Sequence, residues 1–98
     1  MTQHIRTTVR LSASLAVDVS TIDLSMHGVE FLTGIETGLF WTWADGRTDN
    51  DIVARYASWD EAQAGHAAWC NESVLAFVTG AMETYAQVIA QTLDGLSA

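Results

Sequence analysis

His66 and Cys70 are the pair of residues whose types and spacing could most readily do chemistry. They lie four positions apart in a segment with helical periodicity, so their side chains point to the same side of a helix. With His27 or Glu36 they would offer nitrogen, sulfur and oxygen ligands to a metal such as zinc. A structural zinc site needs four ligands, usually in two close pairs, and the sequence has one such pair. The sequence therefore favours a neutral His66 that packs on a sheet and hydrogen-bonds to a strand, and no metal or other cofactor is expected.

The same two residues would also form a Cys-His nucleophile pair. A reactive thiolate needs a cation or a helix N-terminus beside it, whereas Cys70 falls near a predicted helix C-terminus, where the helix dipole opposes the charge. No Ser/His/Asp set has a recognisable local signature, and no glycine-rich loop opens a helix. The sequence therefore predicts a protein that is not an enzyme, and a metal-dependent enzyme remains the third hypothesis.

Acidic residues suggest a surface for a partner. The chain has 12 Asp and Glu against 4 arginines and no lysine, for a formal net charge of −8. So few cations cannot neutralise many phosphates, which argues against nucleic-acid binding. The spacing of the acids near residue 50 lacks the Gly and the final Glu of a calcium loop. We expect one acidic patch that binds a basic protein and consists of Asp45, Asp49, Asp51, Asp60 and Glu61.

The first 57 residues have the period-2 alternation of strands. Apolar residues occupy the odd positions from Ile5 to Val19, which indicates a long strand, either continuous or bent at Ser12–Ser14 by a bulge or a three-residue loop. The alternation changes parity at Ser20–Thr21, after which Ile22, Leu24 and Met26 are expected to hold the apolar face, and His27-Gly28 is predicted to be a two-residue turn. The next strand ends at Trp43, residues 44–50 form a polar loop, and a short strand covers 52–56.

The period changes to that of a helix at Ser58. Ser58 and Glu61 form a capping box that starts a helix over Trp59–Cys70. Asn71-Glu72 interrupts it, and a second helix covers 73–93, ended by Gly95. One face of the second helix is an apolar stripe that is expected to pack on the sheet; its residues are Val74, Leu75, Val78, Ala81, Met82, Tyr85, Val88, Ile89 and Leu93.

The opposite face of the second helix is nearly uncharged. It contains Ala76, Gly80, Glu83 and Gln87, which we interpret either as a solvated face or as a surface for self-association. Phe40 points away from Trp41 and Trp43, so both faces of the sheet are expected to be covered. With only 16% charged residues, the chain is expected to bury apolar surface in a homodimer.

These patterns predict a single α+β domain over residues 1–98, with a four-stranded antiparallel meander in 1–57 and two helices in 58–98. No apolar run approaches the ~20 residues of a membrane span, so no membrane association is expected. The single cysteine excludes an internal disulfide, and no signal peptide is expected, because Ser12 and Ser14 interrupt the apolar stretch that follows Arg10. A cytoplasmic protein is the simplest interpretation.

Three segments resemble small uncharacterised proteins of bacteriophages and prophages. They are Val19–Ile22 leading to His27, Glu36–Phe40 and Ala54–His66. The last contains the pattern Tyr-x-Ser/Thr-Trp-Asp/Glu-Glu-Ala-x-Ala-Gly-His. The resemblance covers about residues 19–70 and implies a phage or mobile-element origin, in the host cytoplasm, without an established activity.

Two functions follow as hypotheses. The first is an acidic inhibitor that occupies a basic surface of a host or defence protein, in the manner of anti-CRISPR or DNA-mimic proteins. It rests on the net charge and on the five acids near the predicted hairpin tip. The alternative is a virion component or assembly factor that self-associates, supported by the long first strand and the nearly uncharged helix face.

Overall fold

The computed structural model describes residues 3–24 and 34–97 and has the predicted α+β architecture. A four-stranded antiparallel sheet in the order β1-β2-β3-β4 is followed by two helices. The elements are β1 (His4–Ser12), β2 (Leu15–Asp23), β3 (Ile35–Trp43), β4 (Thr48–Tyr56), α1 (Trp59–Trp69) and α2 (Glu72–Ser97). Both helices lie on one side of the sheet, called here the helix-covered face; the other is the open face.

β1 and β2 are joined by a tight turn at Ala13 and Ser14. Ser12 pairs with Leu15, and the register shifts between Arg10 and Ser12. This irregularity adds one residue to β1, so the apolar side chains keep their odd positions on both strands. The sequence predicted one strand over residues 5–19, continuous or bent at Ser12–Ser14, and its unbroken alternation argued against a tight turn; that prediction is wrong, because the chain reverses at Ala13-Ser14 into two strands. The irregularity between Arg10 and Ser12 explains why a tight turn does not interrupt the alternation.

The predicted change of face at Ser20–Thr21 is wrong. The helix-covered face continues through Thr21 and Asp23, which are 0% and 9% exposed, while Ile22 is half-buried on the open face. The pattern of apolar residues predicted the wrong face here because Thr21, a polar residue, is buried. Its hydroxyl has hydrogen-bond partners in Thr37 and His66. The predicted turn at His27-Gly28 lies outside the described residues.

β4 is longer than predicted and begins at Thr48. The connection from β3 is a short turn at residues 44–46, in which Gly46 has a φ of 91° and Trp43 N–H donates to the Arg47 carbonyl at 2.9 Å. The Arg47 guanidinium stacks on the Trp43 ring, 4.1 Å from its centroid. Polar residues can continue this strand because β4 is at the edge of the sheet and exposes its side chains.

Both helices begin close to the residues predicted from the sequence, whereas α2 ends later than predicted. Ser58 caps α1 by accepting a hydrogen bond from Glu61 N–H at 3.2 Å, and Asn71 caps α2 by accepting one from Val74 N–H at 3.1 Å. Gly95 was expected to end α2, but the helix continues to Ser97. Gly95 has no positive φ, so it does not adopt the left-handed conformation of a C-terminal cap.

The core is small and lies between the sheet and the beginning of α2. Its fully packed residues are Leu15, Val17, Val19, Leu39, Trp41 and Leu75. Trp41 Nε1 donates to Thr79 Oγ1 at 2.9 Å, which anchors the second turn of α2 on β3. On the open face Phe40 and Ile52 remain 41% and 46% exposed, so the expectation that both faces of the sheet are covered does not hold for the described part of one chain.

The apolar stripe of α2 packs on the sheet over half of its length only. Leu75 is 0% exposed, and Val78 and Met82 are half-buried against the core. Beyond them the helix passes the end of the sheet. The apolar residues of this distal segment, 85–96, are 42–78% exposed; they are Tyr85, Val88, Ile89, Leu93 and Leu96. The prediction that the whole stripe packs on the sheet is therefore wrong.

Candidate functional site

His66 lies beneath α1 with both ring nitrogens in hydrogen bonds. Its Nδ1 is 2.7 Å from Thr21 Oγ1, and its Nε2 is 2.9 Å from Thr7 Oγ1. The side chain is 5% exposed. A neutral imidazole has one donor and one acceptor nitrogen, and a hydroxyl can serve either. The sequence-based interpretation of His66 as a packed histidine that hydrogen-bonds to the strands is confirmed.

The hydrogen bonds of His66 belong to a chain that crosses the whole sheet. Thr21 Oγ1 is 2.6 Å from Thr37 Oγ1, and Thr37 Oγ1 donates to the Tyr56 hydroxyl at 3.1 Å. The chain therefore joins β1, β2, β3 and β4 to α1. No described buried side-chain nitrogen or oxygen lacks a partner. Such a satisfied network fixes the position of α1 on the sheet.

Gly65 is the residue that lets α1 approach Tyr56. A Cβ at position 65 would lie 2.3 Å from Cε1 and from the hydroxyl oxygen of Tyr56. Sequence reasoning noted Gly65 in the Ala-Gly-His segment without giving it a role. The sequence did contain a signal for this contact, because Tyr56 and Gly65-His66 belong to one motif. The structure shows that this motif packs α1 on β4.

Burial sets the protonation of His66. Desolvation lowers the pKa of His66 below its usual 6.5, and the charge of His4 lowers it further. Imidazolium formation would place a charge beneath α1, among the threonine hydroxyls. The folded chain therefore holds His66 neutral at neutral pH.

We expect the free energy of unfolding to fall as the pH drops from about 7 to about 5, because the unfolded chain gains a proton on His66 that the folded chain resists. Urea unfolding at a series of pH values measures this slope. The slope should flatten in His66→Gln and persist in the control His4→Gln, since burial is the main cause. An unchanged slope in His66→Gln would show that another group is responsible.

The four candidate metal ligands are not brought together. Glu36 lies on the open face, where its Oε2 is 3.6 Å from Arg55 Nε, whereas His66 lies under the helix-covered face. Cys70 ends α1, and its N–H donates to the His66 carbonyl at 3.1 Å. His27 lies outside the described residues. Within the described ranges, no three His, Cys, Asp or Glu residues form a group that could hold a metal ion.

The five acids form two groups, one in the β3–β4 turn and the first half of β4 and the other at the start of α1. Asp45 lies in the β3–β4 turn and Asp49 and Asp51 in the first half of β4, all exposed. Asp60 and Glu61 lie in the first turn of α1, beyond the other end of β4. From Asp51, the nearest of the three aspartates, to Tyr56 at the end of the strand is five residue steps, or roughly 17 Å. The single acidic patch expected from the sequence is therefore divided.

Several of these acids have local structural roles. Asp45 Oδ1 accepts from Arg47 N–H at 3.0 Å and Asp49 Oδ1 from Asn50 N–H at 2.8 Å. Glu61 Oε2 accepts from Ala57 N–H at 3.3 Å, which completes the cap of α1. On the open face the Thr8 hydroxyl and then the Arg6 guanidinium hold the pKa of Asp18 below its usual value.

The expected self-association face of α2 is exposed throughout. Ala76, Gly80, Glu83 and Gln87 are all solvent-accessible. Glu83 and Gln87, with Ala86 and Ala90, line an open groove of about 340 Å³ against Arg47. The larger apolar surface of the helix is the distal segment, on the stripe that begins at Leu75.

By length and composition alone, α2 passes as a membrane span. Within the 25 residues Glu72–Leu96, an 18-residue window has a mean hydropathy of 1.2, and 11% of that window is buried. The sequence analysis excluded a membrane span because no uninterrupted apolar run is long enough. That exclusion does not hold when length and mean hydropathy are the criteria. The first turns of α2 are packed on the sheet through Leu75 and Thr79, however. Residues 83–96 extend only about 21 Å, less than the ~30 Å of a hydrocarbon core.

Comparison with known proteins found no matching protein-family model, no matching curated protein and no matching solved structure. The resemblance to phage and prophage proteins therefore rests on the three sequence segments and stays a prediction.

Proposed function

We propose that this chain is a non-enzymatic protein of phage or mobile-element origin that self-associates as a structural or assembly component. The single observation that carries the proposal is the exposed apolar surface of the distal segment of α2. Four large side chains there, Tyr85, Val88, Ile89 and Leu96, are 69%, 53%, 42% and 78% exposed. An exposed apolar patch of this kind favours association with another surface.

The energetics support association through this segment. Full burial of a large aliphatic or aromatic side chain is worth about 1.5–3 kcal/mol. Among the described residues of α2, Leu75, Val78 and Met82 belong to the core or pack against it, whereas the large apolar side chains of the distal segment are exposed. The helix is nonetheless continuous to Ser97. Association with a partner would provide the packing that maintains so long an exposed helix.

Sedimentation or light scattering from about 1 µM to about 1 mM should show a concentration-dependent oligomer, since association through one helix surface is weak. Ile89→Asp should weaken association at least about tenfold, because the carboxylate would be desolvated in the contact. The control Gln91→Asp adds the same charge on the opposite side of α2 and should leave association unchanged. A chain that stays monomeric at ~1 mM, or equal effects of both variants, would refute the proposal.

An acidic inhibitor is the second candidate. The observation that favours it is the exposure of Asp45, Asp49 and Asp51 near the β3–β4 turn in a chain of net charge −8. In the same sedimentation experiment, an arginine-rich peptide should bind this chain. Replacing the three aspartates by asparagine should abolish that binding without changing self-association. Equal binding by the neutralised variant would remove this candidate.

A further inference from the structure

We propose that two copies of this chain pair antiparallel through the distal segments of α2, with Ile89 at the two-fold axis. This inference rests on the proposed function and adds the surface, the partner and the direction. The surface is the continuation of the stripe that docks α2 on its own sheet. The partner is a second copy of this chain.

The stripe has the spacing of a helix-packing surface along its whole length. Its positions are three or four residues apart: Leu75, Val78 and Met82 meet the sheet, and Tyr85, Ile89, Leu93 and Leu96 continue the same side of the helix. At about 100° per residue, Met82 and Leu96 lie symmetrically on either side of Ile89. A stripe that is symmetric about one residue can meet a copy of itself across a two-fold axis.

Charge argues for a second copy as the occupant. The charged residues Glu83 and Asp94 lie to one side of the stripe, so two stripes can meet without burying a charge. α2 has no cation, since the four arginines are at positions 6, 10, 47 and 55. It therefore offers neither an acidic contact on the stripe to a basic protein nor a basic flank to an anionic membrane.

The sheet fixes the direction of pairing. The first turns of the stripe are covered by this chain's own sheet through Leu75 and Thr79. A parallel neighbour along the stripe would place its own first turns in the space of that sheet. An antiparallel neighbour instead extends past Ser97, where the helix ends. Antiparallel pairing also places the two acidic sheets at opposite ends of helices that are about 39 Å long. The distance between the two sheets then exceeds the screening length of about 10 Å, so their repulsion is weak.

The size of the contact predicts a moderate affinity. Twelve residues from Tyr85 to Leu96 give a helix contact about 18 Å long. Such a contact buries less than the ~800 Å² per partner of a standard interface. The dimer is therefore expected to dissociate on dilution. The antiparallel alignment of the two helix dipoles favours the dimer over a parallel pair.

Cysteine cross-linking in a Cys70→Ala background tests the direction. Ile89→Cys should form a disulfide dimer on mild oxidation, because the two sulfurs meet at the axis. Leu96→Cys should link at least about tenfold more slowly, since its two copies would lie roughly 21 Å apart. A mixture of Tyr85→Cys chains with Leu93→Cys chains should give a mixed disulfide, because both positions are exposed and lie four residues on either side of Ile89. All four substitutions in the distal segment replace exposed side chains, so folding can be verified by unfolding curves.

The other outcomes are distinct. Efficient linking of Leu96→Cys would overturn the antiparallel direction. An oligomer in solution with no linking at Ile89 would overturn this inference while the proposed function stands. A chain that is monomeric at every concentration, or that co-sediments as a monomer with vesicles of zwitterionic lipid, would refute both.

Discussion

Replacing Leu75 by alanine should lower the free energy of unfolding by about 2–5 kcal/mol. Leu75 is 0% exposed and is the residue of α2 at the centre of the core, packed with Leu39 and Trp41. The truncation removes buried methyl groups and leaves a cavity that the rigid sheet cannot fill by moving. Urea unfolding followed by far-ultraviolet circular dichroism measures the loss.

Leu96→Ala is the matched control for this experiment. Leu96 has the same side chain on the same helix stripe but is 78% exposed. In the monomer it should change the free energy of unfolding by less than about 0.5 kcal/mol. Measured at concentrations where the chain is a dimer, the same substitution should also destabilise, because dissociation is coupled to unfolding. Equal losses at Leu75 and Leu96 in the monomer would contradict the half-docked helix.

The second large effect is expected at Gly65. Gly65→Ala should lower the free energy of unfolding by about 1–3 kcal/mol, although alanine favours a helix over glycine by about 1 kcal/mol. The added Cβ would lie 2.3 Å from the Tyr56 ring, so either the ring must leave its hydrogen bond to Thr37 or α1 must move from the sheet. Thermal or urea unfolding measures the change.

Two further variants isolate the cause. Gly80→Ala, on an exposed part of α2 with no atom within 4 Å of the new Cβ, should raise the free energy of unfolding by up to about 1 kcal/mol. In a Tyr56→Ala background, Gly65→Ala should no longer destabilise, because the ring that it meets is gone. A stabilising Gly65→Ala in the natural background would show that the close approach is not required.

The architecture could be predicted because each half of the chain has one clear period. Alternation from Ile5 to Val19 identifies strand residues and their buried face, although it predicted one strand where the structure has two. The capping box at Ser58 places the start of α1 where the structure has it. The role of His66 also followed from its type and position, since a histidine on an apolar helix face needs polar partners from the surface beneath. These inferences depend on local chemistry that tertiary contacts did not override.

The errors arose where distant contacts decide burial. Thr21 is polar by type and fully buried, because His66, 45 residues later, bonds to its hydroxyl. Met82 and Ile89 share one helix side, yet only Met82 is packed against the core, because the sheet ends between them. The five acids were grouped by sequence distance, whereas the second half of β4 separates the two groups. Neither the extent of the sheet nor its register could be read from the pattern of residue types.

The hydrogen bond between Thr7 and His66 also bears on how the chain folds as it is made. It joins residues 59 positions apart, and α2 packs on β1, the strand that is synthesised first. The apolar side of the sheet therefore stays uncovered until the last third of the chain is available, and closing so long a loop carries an entropic cost. Folding of this small chain is expected to be completed late and to be slower than that of a helical bundle of the same size, because the contacts that cover the sheet with helices join residues far apart in the sequence.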